Sequence, residues 1–586
     1  MDGLSLVDSF VIVSYLGFVT WLGIRMGRGV KKSSDFFMPR KFGKMTMIMH
    51  AFGTGTASDQ AVTTAAGTAK NGLSGIWFQW MWLFSTPFYW MIAPIMRRFR
   101  ATTTAQVYDL RYGRSVSVLF SVIGVAGMSV KIGVMLIGAG ALIDAGTGGA
   151  IDARIAIPIM TVLFVVYGVA GGLGGAIMTD FIQGFMTIIF SFMLLPVVLH
   201  AVGGMSGMRE TIAGAESLGE GMLSLVAPAK IDAFYIAMLS VNVLFLIVAM
   251  PSAMGNTAAG KTEMEGRVGF MCGTFIKRVC TVAWCLTAMA ALAWYVQNGI
   301  DPTTINPDDV YGDVAHRFLP DLMPGLLGIF IASLLAAVMS SCDSFMIASG
   351  ALFTENIYRP AVKGRSEAHY LTVGRVASIA VVAGGVLFAL VVMQAMGEKG
   401  AVIAGLKIWM KTVAIMGIAF WLGFFWRGAT PAGAWASALA GFGTWYLVTR
   451  GWFAEWAQGL SFATDLKLVF VTKGTPAIHD PWQILAYLTV GALVGIVVSL
   501  FTRKTPKEDL DRFYNLTKTP IQEGEVIDEP CQLPSGSEGV AAERKMLIQC
   551  CGLEVPMPSR MAWLGFGLGW VGVAILIGGF ILLIRI

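Results

Sequence analysis

Stretches of about 20 residues with almost no charged side chains recur along this chain, and this recurrence restricts its fold more than any other feature. A helix needs about that many residues to cross the hydrocarbon core of a bilayer. Spans are expected near residues 6–24, 46–69, 73–96, 115–143, 153–172, 175–201, 233–257, 268–296, 323–353, 372–396, 401–425, 431–449, 481–502 and 562–584. The chain therefore reads as an all-α polytopic membrane protein with about 14 transmembrane helices.

Composition agrees. Only 13% of the 586 residues are charged, against about 25% in soluble domains. The 70 glycines and 34 methionines suit closely packed membrane helices. The net charge of +6 belongs to cytoplasmic loops and implies no nucleic-acid partner. Seven cysteines form no extracellular disulfide framework. The first apolar run starts near Leu6 without a basic leader, so it reads as a retained helix.

Loop charge sets orientation. Arg25, Arg28, Lys31, Lys32, Arg40, Lys41 and Lys44 follow the first span, and Arg97, Arg98, Arg100, Arg111 and Arg114 follow the third. Alternate loops are acidic, with Glu210, Glu216 and Glu220, then Asp301, Asp308, Asp309, Asp313 and Asp321. The basic loops are expected in the cytoplasm, with both termini outside a cell membrane. Residues 450–480 read as a loop, and 503–561 as a partly ordered cytoplasmic tether.

Two spans look interrupted. Gly53, Thr54, Gly55 and Thr56 weaken the second, and Pro251 and Gly255 the seventh. Broken helices at matching positions of two halves are a pointer to a transporter binding site. Between them in interest stands AAVMSSCDSF, Ala336 to Phe345, which sets Ser340, Ser341, Asp343 and Ser344 inside an otherwise apolar helix. Ser340 and Ser344 lie four residues apart and Ser341 and Ser344 three, so their hydroxyls can share a face. Such serines either bond back to their own helix or line an ion path.

The run YGVAGGLGGAIMTDFIQGF, Tyr167 to Phe185, together with AAVMSS and LFTENIYRP, resembles the sodium:solute symporter family. SSDFFMPRKFG, Ser33 to Gly43, and FWRGATPAGAW, Phe425 to Trp435, are similar to further family segments. The resemblance covers roughly 6–450, and fourteen spans are similar to the sodium–glucose branch. It implies a LeuT-like core of five-plus-five inverted repeats. The expected division is 1–45 for the first helix and basic loop, 46–202 and 203–425 for the two repeats, 426–502 for peripheral helices, 503–561 for the loop and 562–586 for the last helix.

The resemblance also implies a main sodium site made of the carbonyls of Ala57, Gln60 and Ala337 and the hydroxyls of Ser340 and Ser341. Oxygen ligands are what a hard cation requires. A second sodium site would use Asp180, Asp343 and Ser344 with Ser340; alternatively Asp180 caps a helix, and Asp343 is protonated and silent. Intramembrane carboxylates are costly and usually functional, so Asp59 is a candidate partner of the main site or the solute. Thr63, Thr64, Gln79 and Asn242 are polar candidates for a solute cavity. Lys411 lies about 15 Å into its span and suggests an anionic solute group, a partner for Asp59, or an interfacial lysine. Lys131 reads first as structural.

The expected function is secondary active symport of a small polar solute, a sugar or polyol, amino acid or carboxylate, driven into the cytoplasm by sodium. A proton-coupled carrier and a transporter-like sensor are the alternatives. Five scattered histidines and no nucleophile–base constellation argue against an enzyme.

Overall fold

The computed structural model describes residues 4–585 except 29, 216, 220, 228–230, 397–400, 473, 523, 528, 535, 536, 538 and 542. Glu216 and Glu220 of the expected acidic loop therefore lie outside the described residues. The main helices are α1 (Leu6–Gly27), α2 (Lys44–Gly55), α3 (Ser58–Asn71), α4 (Thr86–Arg98), α5 (Thr104–Tyr112), α6 (Arg114–Gly146), α7 (Ala153–Ala201), α8 (Ala233–Ala249) and α9 (Ala253–Ala258). They continue with α10 (Glu263–Gln297), α11 (Leu326–Ala351), α12 (Glu367–Met396), α13 (Ala401–Phe425), α14 (Pro431–Val448), α15 (Asp480–Phe501), α16 (Lys507–Lys518) and α17 (Arg560–Arg585).

Among the described residues, nine helices are long and apolar enough to cross a membrane. The other expected spans are shorter or broken. Two expected spans, 153–172 and 175–201, share one of the nine, the 49-residue α7, which bends at Gly172 with φ at 57°. A side chain there would also strike Phe36, so glycine is required twice over. The span at 73–96 is a pair of short turns leading into α4, and 431–449 is the 18-residue α14.

Both predicted interruptions are present. Helix α2 stops at Gly55, and Ala57 is extended (φ −93°, ψ 162°) before α3 begins. Helix α8 stops at Ala249, with Met250 extended (φ −70°, ψ 122°) and Pro251 in the turn before α9. In each case the chain loses helical hydrogen bonds inside the protein, and the freed backbone groups need other partners.

The broken pair α2/α3 sits at the centre, with α2 against α7, α10 and α11, and α3 against α6, α10 and α11. Apolar composition has two meanings here. Helix α11 is almost entirely buried, whereas α1 and α17 present most of their apolar side chains outward, as lipid-facing helices do. Asp8 of α1 joins the shell to the core: it completes a capping box with Ser5 and accepts from the Gly328 amide of α11 at 2.7 Å.

The segments read as loops carry more order than their composition suggests. Residues 451–458 are helical, and Val469–Thr472 pairs with Thr475–Ile478 in a hairpin. In 503–561, α16 and a second hairpin, Met546–Cys550 with Leu553–Pro556, are fixed by ion pairs. Arg100 meets Glu525 at 2.6 Å, and Arg427 meets Asp511 and Glu554. All seven cysteines are free.

Candidate functional site

The break in α2/α3 faces the polar stretch of α11. Ser341 Oγ donates to the Gly53 carbonyl at 3.0 Å, and Ser344 Oγ lies 3.0 Å from Thr54 Oγ1. Ser340 Oγ donates to Oδ1 of Asp180 on α7. Gly53 permits this approach, since a Cβ there would stand 2.5 Å from Ser340 Oγ. Ala337 is fully buried one turn earlier on α11.

The contact falls one helical turn before the expected one. Ser341 meets Gly53, not Ala57; the Ala57 carbonyl instead accepts from the Gln60 amide at 3.1 Å, and the Gln60 carbonyl accepts from Thr64 Oγ1 at 2.8 Å. The register differs because α2 runs on to Gly55, so its last turn, and not the restart of α3, lies against the serines.

Around Asp180 a network forms that includes a residue sequence reasoning missed. His50 Nδ1 is 2.6 Å from Asp180 Oδ2, with both side chains fully buried, and 3.2 Å from Thr54 Oγ1. A histidine one turn before a helix break, on the same face as Thr54, was the available signal. Both Asp180 oxygens are thus engaged by protein groups. The remaining members of the expected second cation site do not join them. Ser344 turns to Thr54, and Asp343 packs against Gly168 of α7, where a Cβ would stand 2.7 Å from its Oδ1. Neither Asp343 oxygen has a well-formed hydrogen bond, although it faces Tyr167, whose hydroxyl accepts from Gln183 at 3.3 Å.

A cavity opens beside the break, reaching Ser341 and Thr54 and bounded by Gln60, Gln79, Lys131 and Lys277. Asp59 is buried behind it, 2.6 Å from Lys131 Nζ. So Asp59 does have a lysine partner, but it is Lys131 and not Lys411. Lys277 donates to the Gly55 carbonyl, which also accepts from Gln60 Nε2 at 2.6 Å. Arg278 donates to the Gln79 carbonyl.

Of the polar residues proposed for a solute cavity, Gln79 lines it. Thr63 and Thr64 do not: their hydroxyls bond back to Asp59 and Gln60 carbonyls at 2.5 and 2.8 Å. Asn242 accepts from Tyr487 and lines a separate small pocket with Lys407, Lys411 and Asp480. Lys411 is buried, 2.9 Å from Asp480 and 2.7 Å from Gln483. Its partner comes from α15, beyond the stretch over which sequence spacing can pair residues.

A family model described as the sodium:solute symporter family matches residues 36–441. A sodium/glucose cotransporter of Vibrio parahaemolyticus is 25% identical over 468 residues, covering 74% of this chain and 83% of its own length. A sodium/pantothenate symporter of Haemophilus influenzae is 24% identical over 461 residues, covering 75% and 90%. The fold is similar to the outward-open, substrate-bound structure of a Na+-coupled sialic acid symporter, with a TM-score of 0.68 at 16% identity, over 86% of this chain and 99% of that one.

Proposed function

Because this chain belongs to the sodium:solute symporter family, we propose that it takes up a small polar solute by sodium symport through the cavity beside Gly55. The proposed sodium ligands are the hydroxyls of Ser340 and Ser341 with the carbonyls of Gly53 and Ala337. One observation carries this reading: Ser341 Oγ sits 3.0 Å from the Gly53 carbonyl, two residues before the helix break. Hydroxyl and carbonyl oxygens gathered at an interrupted helix suit a hard monovalent cation. Ser341 would turn its proton away from Gly53 to offer a lone pair to the ion.

Coupling follows from linkage. An ion bound between α2 and α11 ties the broken helix to its neighbour, stabilising the arrangement that encloses the adjacent solute cavity. Loss of the ion to the cytoplasm then releases both. The protein acts in a cell membrane with both termini outside; cysteine accessibility at residues 4 and 559 in intact cells tests that orientation.

The test of function is uptake by the purified protein in proteoliposomes. Solute should accumulate when sodium is imposed outside and fail to do so in choline or potassium. Uptake indifferent to sodium but driven by an inward proton gradient favours the second reading, in which His50 and Asp180 carry a coupling proton; their 2.6 Å contact is the observation behind it.

A further inference from the structure

We infer that the transported solute is an organic anion, a carboxylate, bound through Lys277 and Arg278. This presupposes the symport proposed above and adds the charge of what is carried.

The cavity beside Gly55 holds three basic side chains and one carboxylate near them. Lys131 is already matched by Asp59 at 2.6 Å. Lys277 and Arg278 are different. Both are buried, with 6% and 1% of their surface exposed, and both border the cavity. Among the described residues neither forms an ion pair. Lys277 donates to the Gly55 carbonyl and Arg278 to the Gln79 carbonyl. Among the described residues the Nε of Arg278 also has no acceptor.

A backbone carbonyl satisfies a donor but does not cancel a charge. Burying an unpaired cation is costly in protein or lipid, and arginine does not escape by losing its proton. Basic groups inside a membrane protein pair with carboxylates or with backbone carbonyls, and they mark substrate or ion paths. Lys407 and Lys411 show the contrast within the same chain, since both converge on Asp480. At Arg278 the missing negative charge is left for the solute, with its chain neighbour Lys277 as a second donor at the cavity wall.

The remaining wall narrows the class. Trp82, Phe270 and Trp409 supply apolar and π surface to the same cavity, and Lys277 Nζ lies 5.9 Å from the Trp82 ring centre. An organic body with one planar, singly charged end suits that combination. Charge-assisted hydrogen bonds from a basic side chain hold such a carboxylate, and its body packs on the rings.

The experiment compares each acid with its own amide, which keeps shape and removes charge. Full-length protein in proteoliposomes, under an inward sodium gradient, is given radiolabelled nicotinate or nicotinamide, benzoate or benzamide, and lactate or lactamide, with glucose as a neutral polar solute. The expected result is sodium-driven uptake of at least one acid about tenfold or more above its amide. Lys277→Gln should abolish that preference, and Lys277→Arg should retain it. Sodium-driven uptake of amides or glucose at the rate of the acids, or of glucose alone, overturns the inference and leaves sodium symport standing. Acid-selective uptake that ignores sodium does the reverse: it supports the anion site and removes the symport reading. If Lys277→Gln does not fold, the wild-type comparison of acid with amide decides by itself.

Discussion

His50 Nδ1 lies 2.6 Å from Asp180 Oδ2, so a histidine of α2 and a carboxylate of α7 meet where neither touches solvent. Ser340 holds the other Asp180 oxygen, which joins three elements, α2, α7 and α11, through one side chain. Removing a partner from a buried polar pair costs about 3–5 kcal/mol when the charge left behind is uncompensated. His50→Gln should therefore lower the unfolding free energy measured in mixed micelles by about that amount. It should also leave Asp180 open to a cation, making uptake depend more steeply on sodium. Stability and sodium dependence both unchanged would mean that the pair does nothing.

Gly53→Ala should act through crowding. The added Cβ would stand 2.5 Å from Ser340 Oγ and 3.5 Å from Asp180 Cβ. Ser340 is held by Asp180 and cannot swing aside cheaply. Overpacking of this kind costs about 1–3 kcal/mol, and here it separates the two halves of the proposed sodium site. The sodium concentration for half-maximal uptake should rise roughly tenfold. Ser341→Ala, which removes the donor to Gly53, should raise it in the same direction.

Asp59 and Lys131 give a test of buried charge. Asp59→Asn or Lys131→Met alone strands the partner and should cost about 3–5 kcal/mol of stability. The double variant removes both charges and should recover much of that loss. A thermodynamic cycle measured by unfolding in mixed micelles reads the coupling directly. Additive losses would mean that the 2.6 Å contact carries no coupling.

What the sequence revealed, and what it hid, divides along a physical line. Helix existence was legible because long apolar runs report it locally. Both breaks were legible because Gly53 to Thr56 and Pro251 weaken a helix wherever they stand. Ser340 and Ser341 were legible as oxygen donors in an apolar helix. Partners across helices were not. The one-turn offset from Ala57 to Gly53 depends on how far α2 runs before it stops, which propensity does not fix. Asp480 lies 69 residues from Lys411, and no local spacing links them. The place of His50, one turn before the break and on the face of Thr54, is legible in the sequence, but its pairing with Asp180 is not, because only the fold sets α2 beside α7.

Lys411→Met now has a different expected outcome from that of a solute-binding lysine. Lys411 is bound to Asp480 and Gln483, with Lys407 2.6 Å from the same carboxylate. Deleting it leaves Asp480 with one lysine and should cost about 1–3 kcal/mol in stability. The ratio of acid to amide uptake should not move. A shift in that ratio would place Lys411 in the solute path after all.

The segment 503–561 should respond to acid. Glu554 is buried between Lys518, at 2.8 Å, and Arg427. Burial by itself would raise its carboxyl, but the hydrogen bonds and charges of Lys518 and Arg427 prevail and hold it below its ordinary value of 4.5. A carboxylate depressed on folding adds stability that is fully present above that value and is lost as pH falls through the folded one. Hydrogen exchange in the hairpin Met546–Cys550 with Leu553–Pro556, corrected for intrinsic rates, should therefore be steady near neutrality and accelerate below about pH 4.5. Glu554→Gln keeps the size and removes the charge, so it should exchange fast at neutral pH and lose the acid dependence. If the wild-type hairpin exchanged alike from pH 7 down to pH 4, the ion pairs with Arg427 and Lys518 could not be what holds this segment against α13, and its docking would rest on the apolar side chains of α16.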